Sequence, residues 1–540
     1  MCVIVSERIS DASSDNRTHT NAVAGSQFHF PGGSTATGAS RLPGQAQRSS
    51  KLTNVDSQEN VDSQQTSKAS LGGRRLGVPS VVAQALANTA PIDSALTFMP
   101  LVVGVGMGTG AGGAAPLSML LAAIATFGIA WTLSRFSRHL ENTGSSYVFI
   151  SRSFGDRAGT AFGTLNYVAV VFGPLTPLIF GGYVSDDLRT QFGIDIPWWV
   201  ISLGLVAAIG VAVSFGVEFS SRAMLALASV GMLTIISFSI LVIVQVLGRG
   251  DVSATAPLLP SSSGSGWLGV FWGMLFGLSI FGGYDSAQNL SEETRDPKRS
   301  IPRAMLITVS LMAVYYVVVA YAQVVGFGMD SAAIADHTFP LLALAAPGSF
   351  GASWLVHLLT ILLMLDDFSL CVAGAVYGSR GLFALARDGR LPAVFTIVSR
   401  KRNIPVVGMA LQVAWMAVLV VVVHLTGRFL AHDGVPEYLP VFVWIGSAQG
   451  LITSIMSATI CLGAFGWLRR RDKNPVLLIV AASIGVVAAG ITLIASMLQA
   501  STGTYLALAA ISVFLVISFV QSTILLRRGR FAPAAFLEDA

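Results

Sequence analysis

Twelve long apolar segments make up most of this chain and restrict what it can fold into. They cover approximately residues 78–105, 114–134, 158–183, 197–217, 223–247, 266–290, 304–328, 351–378, 405–425, 438–468, 475–497 and 503–526. Each is longer than the roughly 20 residues that a helix needs to cross a ~30 Å hydrocarbon layer. Because lipid offers no hydrogen-bond partners to backbone N–H and C=O groups, such segments are expected to be helical. The sequence therefore predicts an all-α membrane protein with twelve transmembrane helices.

The overall composition supports this prediction. Of the 540 residues, 53% are hydrophobic and only 11% are charged, and the mean hydropathy is +0.68. Such values are typical of a membrane protein with many spans and exclude an ordinary soluble domain. The lipid bilayer is therefore the first partner that we expect for the chain.

The basic residues indicate how the chain is oriented. None of the 33 Lys and Arg residues lies inside an apolar segment. If the N-terminus is cytoplasmic, 22 of them fall in cytoplasmic connections and the C-terminal tail, and only Arg189, Arg249 and Arg428 fall in external connections. This excess predicts that both termini lie in the cytoplasm of a multi-pass plasma-membrane protein. The same connections account for the basic pI of about 9.2, so nucleic-acid binding is not implied.

Two tails flank the predicted helices. Residues 1–75 are rich in Ser, Thr, Gln, Asn and Gly and lack apolar periodicity, which predicts a disordered cytoplasmic tail. Residues 76–526 would form the twelve-helix domain, and residues 527–540 a short cytoplasmic C-terminal tail. The three cysteines, Cys2, Cys371 and Cys461, allow neither a disulfide framework nor a metal site, and we expect no cofactor.

Four acidic residues lie inside the apolar segments: Asp93, Asp285, Asp366 and Asp367. A carboxylate in hydrocarbon is costly unless it is paired or faces a cavity, so embedded acids are usually functional. No Lys or Arg is embedded with them, so the expected partners are backbone N–H groups, water, a coupling cation or a substrate ammonium group. For Asp93 the alternative is a local cap that satisfies an exposed helix end.

Two of the segments contain residues that break helices. In the first segment, Pro91 lacks an N–H and clashes with the carbonyl group four residues earlier. In the sixth segment, Gly282 and Gly283 follow Gly273 and Gly277 and weaken the helix. Matching breaks in the two halves of a chain are the best sequence indication of a transporter's central site. The alternative is that Gly and Pro only allow helices to pack closely.

Several motifs surround the sixth and eighth segments. The sixth segment continues with FGGYDSA at 281–287, SEETRDP at 291–297 and IPRA at 301–304. A second block, SRGLFALARDGRLP, follows the eighth segment at 379–392, and GSSYV precedes the third at 144–148. Together these motifs resemble the signatures of the amino acid–polyamine–organocation permeases, and the resemblance implies that the second block is a loop. The resemblance extends over about residues 76–526.

The resemblance implies a LeuT-like core in which helices one to five and six to ten are inverted repeats, followed by two peripheral helices. It implies a substrate site at the two broken helices, formed by Ala90, Pro91, Ile92, Asp93, Ser94, Phe281, Gly282, Gly283 and Tyr284. Phe281 or Tyr284 would act as an aromatic gate. Asp285 occupies a position that the resemblance associates with gating or proton response. Asn166 and Tyr167 of the third segment are further candidates for substrate contacts, or serve helix packing.

The chain also departs from the family pattern. The first break carries Asp93 where relatives are usually neutral, and the fifth segment lacks the Lys that replaces a sodium ion in some relatives, which leaves H⁺ or Na⁺ as the coupling ion. Asp366 and Asp367 point about 100° apart on a helix and cannot both face one narrow cavity. Two nearby carboxylates in a low dielectric should not both ionise, so they and Ser369 are candidates for proton coupling or gating. The alternative is hydrogen bonding between helices by a neutral carboxyl group.

Charged residues of the two cytoplasmic blocks are positioned to form ion pairs between the blocks. These residues are Glu292, Glu293, Arg295, Arg380 and Arg387. Such pairs would hold an outward-facing state closed on the cytoplasmic side and break when the inner gate opens. The alternative is simple solvation, because exposed pairs contribute only about 0–1 kcal/mol.

Taken together, these features predict a permease, not an enzyme, that moves amino acids or related amines across the plasma membrane by alternating access. Coupling to a cation gradient, with H⁺ favoured, is expected. Embedded acids without bases favour a cationic substrate such as a basic amino acid, a polyamine or a small amine. The sequence contains no Walker-type phosphate loop, which argues against pumping driven by ATP. The alternatives are a polyamine or amine exchanger, a membrane amino-acid sensor that does not transport, and an ion channel.

Overall fold

The computed structural model describes residues 76–104, 110–140, 144, 146–172, 175–215, 221–399, 404–427, 436–472, 474–498 and 502–527. The predicted tails, apart from Arg527, lie outside these residues. Within the described residues the regular elements are helices, and the only β-type pairings are two isolated bridges. The all-α prediction is therefore confirmed for this part of the chain.

Eight of the labelled helices lie in the first half of the chain. The first span begins with α1 (Val78–Thr89) and continues after a break through Pro91–Asp93, the π-helical Ser94–Phe98 and Met99–Val103. The helices that follow are α2 (Ala115–His139), α3 (Ser146–Phe154), α4 (Asp156–Phe172), α5 (Thr176–Phe192), α6 (Trp198–Phe215), α7 (Ser221–Arg249) and α8 (Trp267–Ile280). After α8, a 3₁₀ helix covers Tyr284–Leu290.

The second half of the chain contains eight further labelled helices. They are α9 (Pro297–Gly326), α10 (Ser331–Ala335), α11 (Pro340–Ala345), α12 (Ser353–Arg387), α13 (Val406–Gly427), α14 (Leu439–Gly463), α15 (Pro475–Leu498) and α16 (Thr502–Arg527). A π-helical turn, Ala464–Leu468, extends α14.

Ten helices of the described ranges are long and apolar enough to cross a membrane, and a shorter apolar helix covers Trp198–Val213. Many large apolar side chains on α7, α15 and α16 point away from the protein; for example, Val476 is 74% exposed and Leu233 is 64% exposed. An apolar surface of this extent suits a lipid environment and would be a liability in water. The protein is therefore an integral multi-pass membrane protein, while the count of twelve spans remains a prediction.

Three local predictions differ from the structure. The third apolar segment is not one helix, because α4 ends at Phe172 and α5 begins at Thr176 with Pro177 in its first turn, where the missing N–H costs nothing. The block after the eighth segment is a loop only at residues 388–392, because α12 continues to Arg387. Similarly, α9 starts at Pro297 and includes Pro302, so part of the predicted sixth connection is helical.

The broken first span lies at the centre of the bundle. It contacts α7, α9 and α12, and α1 also contacts the 3₁₀ helix of the sixth span. Most of its side chains are buried, including Val81, Ile92 and Leu96. These contacts hold the break of the first span beside the sixth and eighth spans, where the candidate site lies.

Candidate functional site

The first span breaks where Pro91 predicts it. Helix α1 ends at Thr89, and Ala90 takes a left-handed conformation with φ of 45°, which is costly for a residue with a Cβ atom. Pro91 then starts the next helical turn, and the Ser94 hydroxyl donates to the Thr89 carbonyl oxygen over 3.0 Å. The chain thereby exposes the carbonyl end of one helix and the N–H end of another inside the bundle.

The sixth span breaks at its glycine pair. Helix α8 ends at Ile280, and Gly283 has a φ of 99° before the 3₁₀ helix begins at Tyr284. Only glycine adopts this conformation easily. A Cβ atom at Gly283 would also collide with the backbone of Asn88 and Thr89. Both predicted breaks are therefore confirmed, and the structure places them against each other.

A cavity of about 280 Å³ lies beside the two breaks. Residues of the first, second, third, sixth, eighth, ninth and tenth predicted spans line it. From the predicted site, the lining includes Asp93, Ser94, Asn166, Gly282, Gly283, Tyr284 and Asp285. Further polar lining residues are Asn88, Thr89, Thr126, Ser146, Thr176, Ser279, Tyr377, Gln412, Gln449, Thr453 and Ser457. None of the residues that line it, all of which belong to the described part, is Lys, Arg or His.

Asp366 binds the N–H end exposed by the first break. The backbone N–H groups of Ile92 and Asp93 donate to its Oδ2 atom over 2.9 and 3.1 Å. Pro91 has no N–H, and the N–H of Ser94 donates to the Ala90 carbonyl group. A carboxylate is favoured at the positive end of a helix dipole. The first-turn donors of this half-helix are thus occupied by a carboxylate of the protein itself.

Asp93 and Asp367 complete a cluster of three buried acids with Asp366. The Thr97 hydroxyl donates to Oδ1 of Asp93 over 2.5 Å, and the Tyr183 hydroxyl donates to Oδ2 of Asp367 over 2.9 Å. The carboxyl groups of Asp93 and Asp367 also interact with each other. Asp93 lines the cavity, whereas Asp366 and Asp367 lie behind the first span and do not.

Asp285 belongs to a separate polar network on the other side of the cavity. The Tyr377 hydroxyl donates to Oδ2 of Asp285 over 2.9 Å, and the Asn166 amide donates to the Tyr377 oxygen over 3.3 Å. Asn289 donates to the Tyr377 carbonyl oxygen over 3.4 Å. This network joins the third, sixth and eighth spans at the cavity wall.

Ion pairs join the two predicted cytoplasmic blocks, 291–303 and 379–392, at the predicted cytoplasmic end. Arg380 pairs with Glu293 over 2.8 Å, and Arg387 pairs with Glu292 over 3.1 Å. Leu76, immediately before α1, bonds to the same region, because its N–H donates to the Glu293 carbonyl group over 3.0 Å. The start of the first span is therefore tied to the ion-paired blocks.

A second group of charged contacts lies beside these pairs. Arg390 binds Asp156 over 2.8 Å, and its guanidinium lies 4.7 Å from the centre of the Tyr147 ring. The Tyr147 hydroxyl donates to the carboxylate of Asp388. Burial raises the pKa of Asp388, and the hydrogen bond from Tyr147 and the charge of Arg387 oppose this effect.

Comparison with known sequences identifies the family. Residues 84–530 match the family described as amino acid permease. The chain belongs to this amino acid permease family. Membership agrees with the resemblance to the amino acid–polyamine–organocation permeases that the motifs indicate.

Relatives of this permease chain are themselves named transporters or permeases. An uncharacterized transporter of Legionella pneumophila is 27% identical over 264 residues, covering 48% of this chain and 56% of the relative. The cationic amino acid transporter 2, vacuolar, of Arabidopsis thaliana is 27% identical over 352 residues, covering 62% of this chain and 53% of the relative. The branched-chain amino acid permease BcaP of Bacillus subtilis is 24% identical over 342 residues, covering 58% of this chain and 70% of the relative. The chain thus spans little more than half the length of the first two.

A solved structure shares the fold of the permease chain. A mutant of the manganese transporter of Eremococcus coleocola aligns with a TM-score of 0.52 and 11% identity, covering 86% of this chain and 99% of the transporter. At this identity the likeness concerns the fold alone. It supports the LeuT-like class that the sequence predicts.

Some predicted site residues of the permease lie outside the cavity lining. Phe281 packs edge-on against Tyr316, with ring centres 5.3 Å apart, and the Tyr167 hydroxyl donates to the Gly144 carbonyl group over 3.0 Å. Ser369 is buried on α12. Ala90, Pro91 and Ile92 shape the break with their backbone and do not line the cavity either. Tyr284, the other predicted gate residue, does line it.

Sequence reasoning missed three hydroxyl groups that contact the embedded acids. These belong to Thr97, Tyr183 and Tyr377. A buried Tyr hydroxyl normally finds a hydrogen-bond partner, so each Tyr in an apolar segment indicates a polar neighbour without identifying it. Their partners lie far away in sequence; Tyr183 and Asp367, for example, are 184 residues apart.

Proposed function

We propose that this protein is a secondary active transporter that moves amines or amino acids across the plasma membrane by alternating access. Its preferred substrates are cationic, and protons are the coupling ion. The observation that carries this proposal is the cavity beside two helix breaks, which is lined by acidic and neutral polar groups and by no basic side chain.

The position and size of the cavity support a small solute as the substrate. Transporters with interrupted helices bind their substrates where the breaks meet near the middle of the membrane. The cavity of about 280 Å³ is slightly smaller than the ~300–1,000 Å³ of sites for drug-sized ligands. That volume suits a molecule of the size of an amino acid or a short amine.

The charges of the site support a cationic substrate. Asp93 and Asp285 both line the cavity. Within a water-poor site, an ammonium group donates a charge-assisted hydrogen bond to a carboxylate. Helix carbonyl groups exposed by the breaks offer further partners to the ammonium hydrogens.

Asp366 disfavours a substrate that carries a carboxylate. In transporters with broken helices, the N–H end of a half-helix receives the anionic group of the substrate. Here Asp366 already accepts from Ile92 and Asp93 at that end. A substrate carboxylate would have to displace Asp366 and then lie close to Asp93. An amine without a carboxylate avoids both costs.

The ion pairs at the predicted cytoplasmic end support alternating access. Arg380 and Arg387 bridge α12 to the segment after the sixth break, and Leu76 links the first span to that segment. The side chains of the Arg387–Glu292 pair are 23% and 25% exposed, and an exposed pair of about 0–1 kcal/mol is weak enough to break during a transport cycle. Opening them would release the inner part of α1 together with the gate.

Uptake into proteoliposomes tests the function. Two matched pairs of substrates isolate the carboxylate: lysine against cadaverine, and leucine against isoamylamine. We expect saturable counterflow of the amines with a KM at least tenfold lower than that of the matching amino acid, which corresponds to about 1.4 kcal/mol. A preference for leucine over isoamylamine would contradict the cationic preference. Saturable binding without counterflow would instead favour a sensor.

A further inference from the structure

Tyr183 lies between the central cavity and a second cavity. The second cavity, of about 560 Å³, is called the vestibule here. It is formed by the ends of α5, α6, α11 and α12 and by the segment just before α14, and the connections at these ends are all predicted to be external. Its charged and titratable residues, besides tyrosines, are Asp186, Asp187, Arg189, Asp336 and His337. Three acids against one arginine give it a negative potential that concentrates cations, including protons.

A continuous series of polar groups leads inward from the vestibule. Tyr183 lines the vestibule and is only 4% exposed, and its hydroxyl donates to Oδ2 of Asp367 over 2.9 Å. Asp367 is fully buried, and its Oδ1 atom has no hydrogen-bond partner among the described residues. Its carboxyl group interacts with that of Asp93, which lines the central cavity.

Beyond the vestibule, the groups that act on Asp367 include no basic side chain of the described part of the chain. Asp367 is approached by Tyr183 from α5, by Asp93 from the first span, and by Asp366 and Cys371 from its own helix α12. Tyr315 and Tyr316 of α9 face the same acids. A positive charge that neutralises the cluster must therefore come from a mobile species, because buried carboxylates close together do not all remain ionised.

We propose that Tyr183 and Asp367 form a proton path that links the vestibule to Asp93 in the central cavity. This inference rests on the proposed function and assigns its coupling route. A hydronium ion in the vestibule gives a proton to the Tyr183 oxygen and becomes water, while Tyr183 passes its own hydroxyl proton to Oδ2 of Asp367, so no tyrosinate is formed. Asp367 then passes a proton to the carboxylate of Asp93.

The end of the path couples protons to the substrate. Asp93 carries one negative charge when ionised, and it holds either a proton or an ammonium group as its counter-charge. Arrival of a proton therefore weakens amine binding, and arrival of an amine favours release of the proton. Both events occur at one carboxylate, so the fluxes of amine and proton are linked without a conformational signal over a long distance.

Tyr183→Phe isolates the hydroxyl group. The Tyr183 ring packs edge-on against Phe180 and Phe339, at 5.5 and 5.8 Å between ring centres, and phenylalanine keeps these contacts. Tyr438→Phe is a matched control, because Tyr438 lies in the same vestibule and packs against Trp198 instead of an acid of the cluster. Asp367→Asn tests the next group of the path.

Two assays on full-length protein in proteoliposomes separate the path from transport itself. Counterflow of cadaverine at equal pH on both sides needs no net proton movement, whereas a trapped pH dye records proton flux driven by a cadaverine gradient. For Tyr183→Phe we expect at least a tenfold loss of proton flux with counterflow within about twofold of the unsubstituted protein. For Asp367→Asn we expect at least a tenfold loss of proton flux. Tyr438→Phe should leave both unchanged.

Results that differ from these expectations overturn either the proton path or the proposed function. Tyr183→Phe with normal proton flux overturns the path, and so does a Tyr183→Phe variant that loses counterflow and proton flux together, because the residue would then be structural. Normal counterflow without proton flux in the unsubstituted protein overturns the path and leaves the transporter in place. The absence of counterflow for the amines and amino acids alike overturns the proposed function as well.

Discussion

The acids at the middle of the membrane and the acids at the predicted cytoplasmic end are stabilised in different ways. In the centre, Asp366 and Asp367 accept hydrogen bonds from backbone N–H groups and from a tyrosine. At the cytoplasmic end, Glu292 and Glu293 are paired with arginines. The central acids thus lack a basic partner among the described residues, whereas the peripheral acids already have one.

This difference assigns a different task to each group. Arginine pairs near the membrane surface neutralise their acids and stay partly exposed, so water can replace either partner when a gate opens. The central acids have no basic partner in the part of the chain that the structure describes. They need a charge that enters and leaves, which is what a transported ammonium group or a proton provides. The comparison therefore predicts that neutralising a central acid affects transport more than neutralising a peripheral one.

Asp93→Asn gives the largest expected effect. The substitution keeps the side-chain size but removes the charge that an ammonium group would pair with. Hydrogen bonds to charged groups contribute about 1.5–3 kcal/mol, so counterflow of cadaverine at a fixed low concentration should fall by roughly ten- to 150-fold. Counterflow of leucine should fall much less. The measurement is initial counterflow at equal pH on both sides.

Glu292→Gln is the matched control for Asp93→Asn. It removes one charge from the ion pair with Arg387 and should change cadaverine counterflow by only a few-fold, since a partly exposed pair contributes about 0–1 kcal/mol. Equal losses in Asp93→Asn and Glu292→Gln would break the distinction between the two groups of acids. Equal retention of cadaverine and leucine in Asp93→Asn would remove Asp93 from substrate recognition.

Asp366→Ala should lower the stability of the protein more than a substitution of an exposed residue does. It leaves the buried N–H groups of Ile92 and Asp93 without an acceptor, and each unsatisfied group costs about 1–3 kcal/mol. The melting temperature of the purified protein should fall by several degrees. Asp366→Asn should lower it less, because the amide oxygen can still accept.

Asp186→Ala provides the comparison for this stability effect. Asp186 is exposed and pairs with Arg189 three residues later, so its removal should change stability by no more than about 0.5 kcal/mol. If Asp366→Ala were as stable as Asp186→Ala, the contact between Asp366 and the first break would contribute nothing to folding.

The sequence predicts the breaks because their causes are local. Pro91 lacks an N–H whatever surrounds it, and Gly283 allows a positive φ that other residues avoid. Family membership and the all-helical fold are likewise visible in motifs and segment lengths. The contact between Asp366 and the first break is not visible, because 274 residues separate Asp366 from Ile92 and only the packed bundle brings them together.

Helix ends were harder to predict than helix breaks. The block at 379–392 resembles a loop of related permeases, and it contains Gly381. In the structure the helix continues, and Gly381 lies so close to the Tyr167 ring that a Cβ atom would collide with it. A glycine that looks like a helix terminator is here a packing site between α4 and α12, which only the neighbouring helix reveals.

Asp388→Asn should give the smallest change in melting temperature. It tests whether a buried acid near the cytoplasmic end affects stability differently from the acids there that are paired with arginine. Burial raises the pKa of Asp388, so the folded protein binds its proton more tightly than the unfolded chain does. The resulting stabilisation is complete below the unfolded pKa of about 3.9 and is lost as the pH rises through the folded pKa. Asp388→Asn should therefore melt slightly higher than the unsubstituted protein at pH 7.5, and the difference should shrink as the pH falls towards 4.

Tyr147→Phe sharpens this last prediction. The hydrogen bond from Tyr147 stabilises the ionised form of Asp388 and opposes the rise of its pKa. Removing the hydroxyl should raise that pKa further, so that the loss of stability extends to higher pH. Melting temperatures of the three proteins between pH 4 and 8 provide the measurement. If the difference in melting temperature between Asp388→Asn and the unsubstituted protein stayed constant with pH, Asp388 would act through packing alone. Its charge would then have no role, in contrast to the charges of the central acids and of the acids paired with arginine.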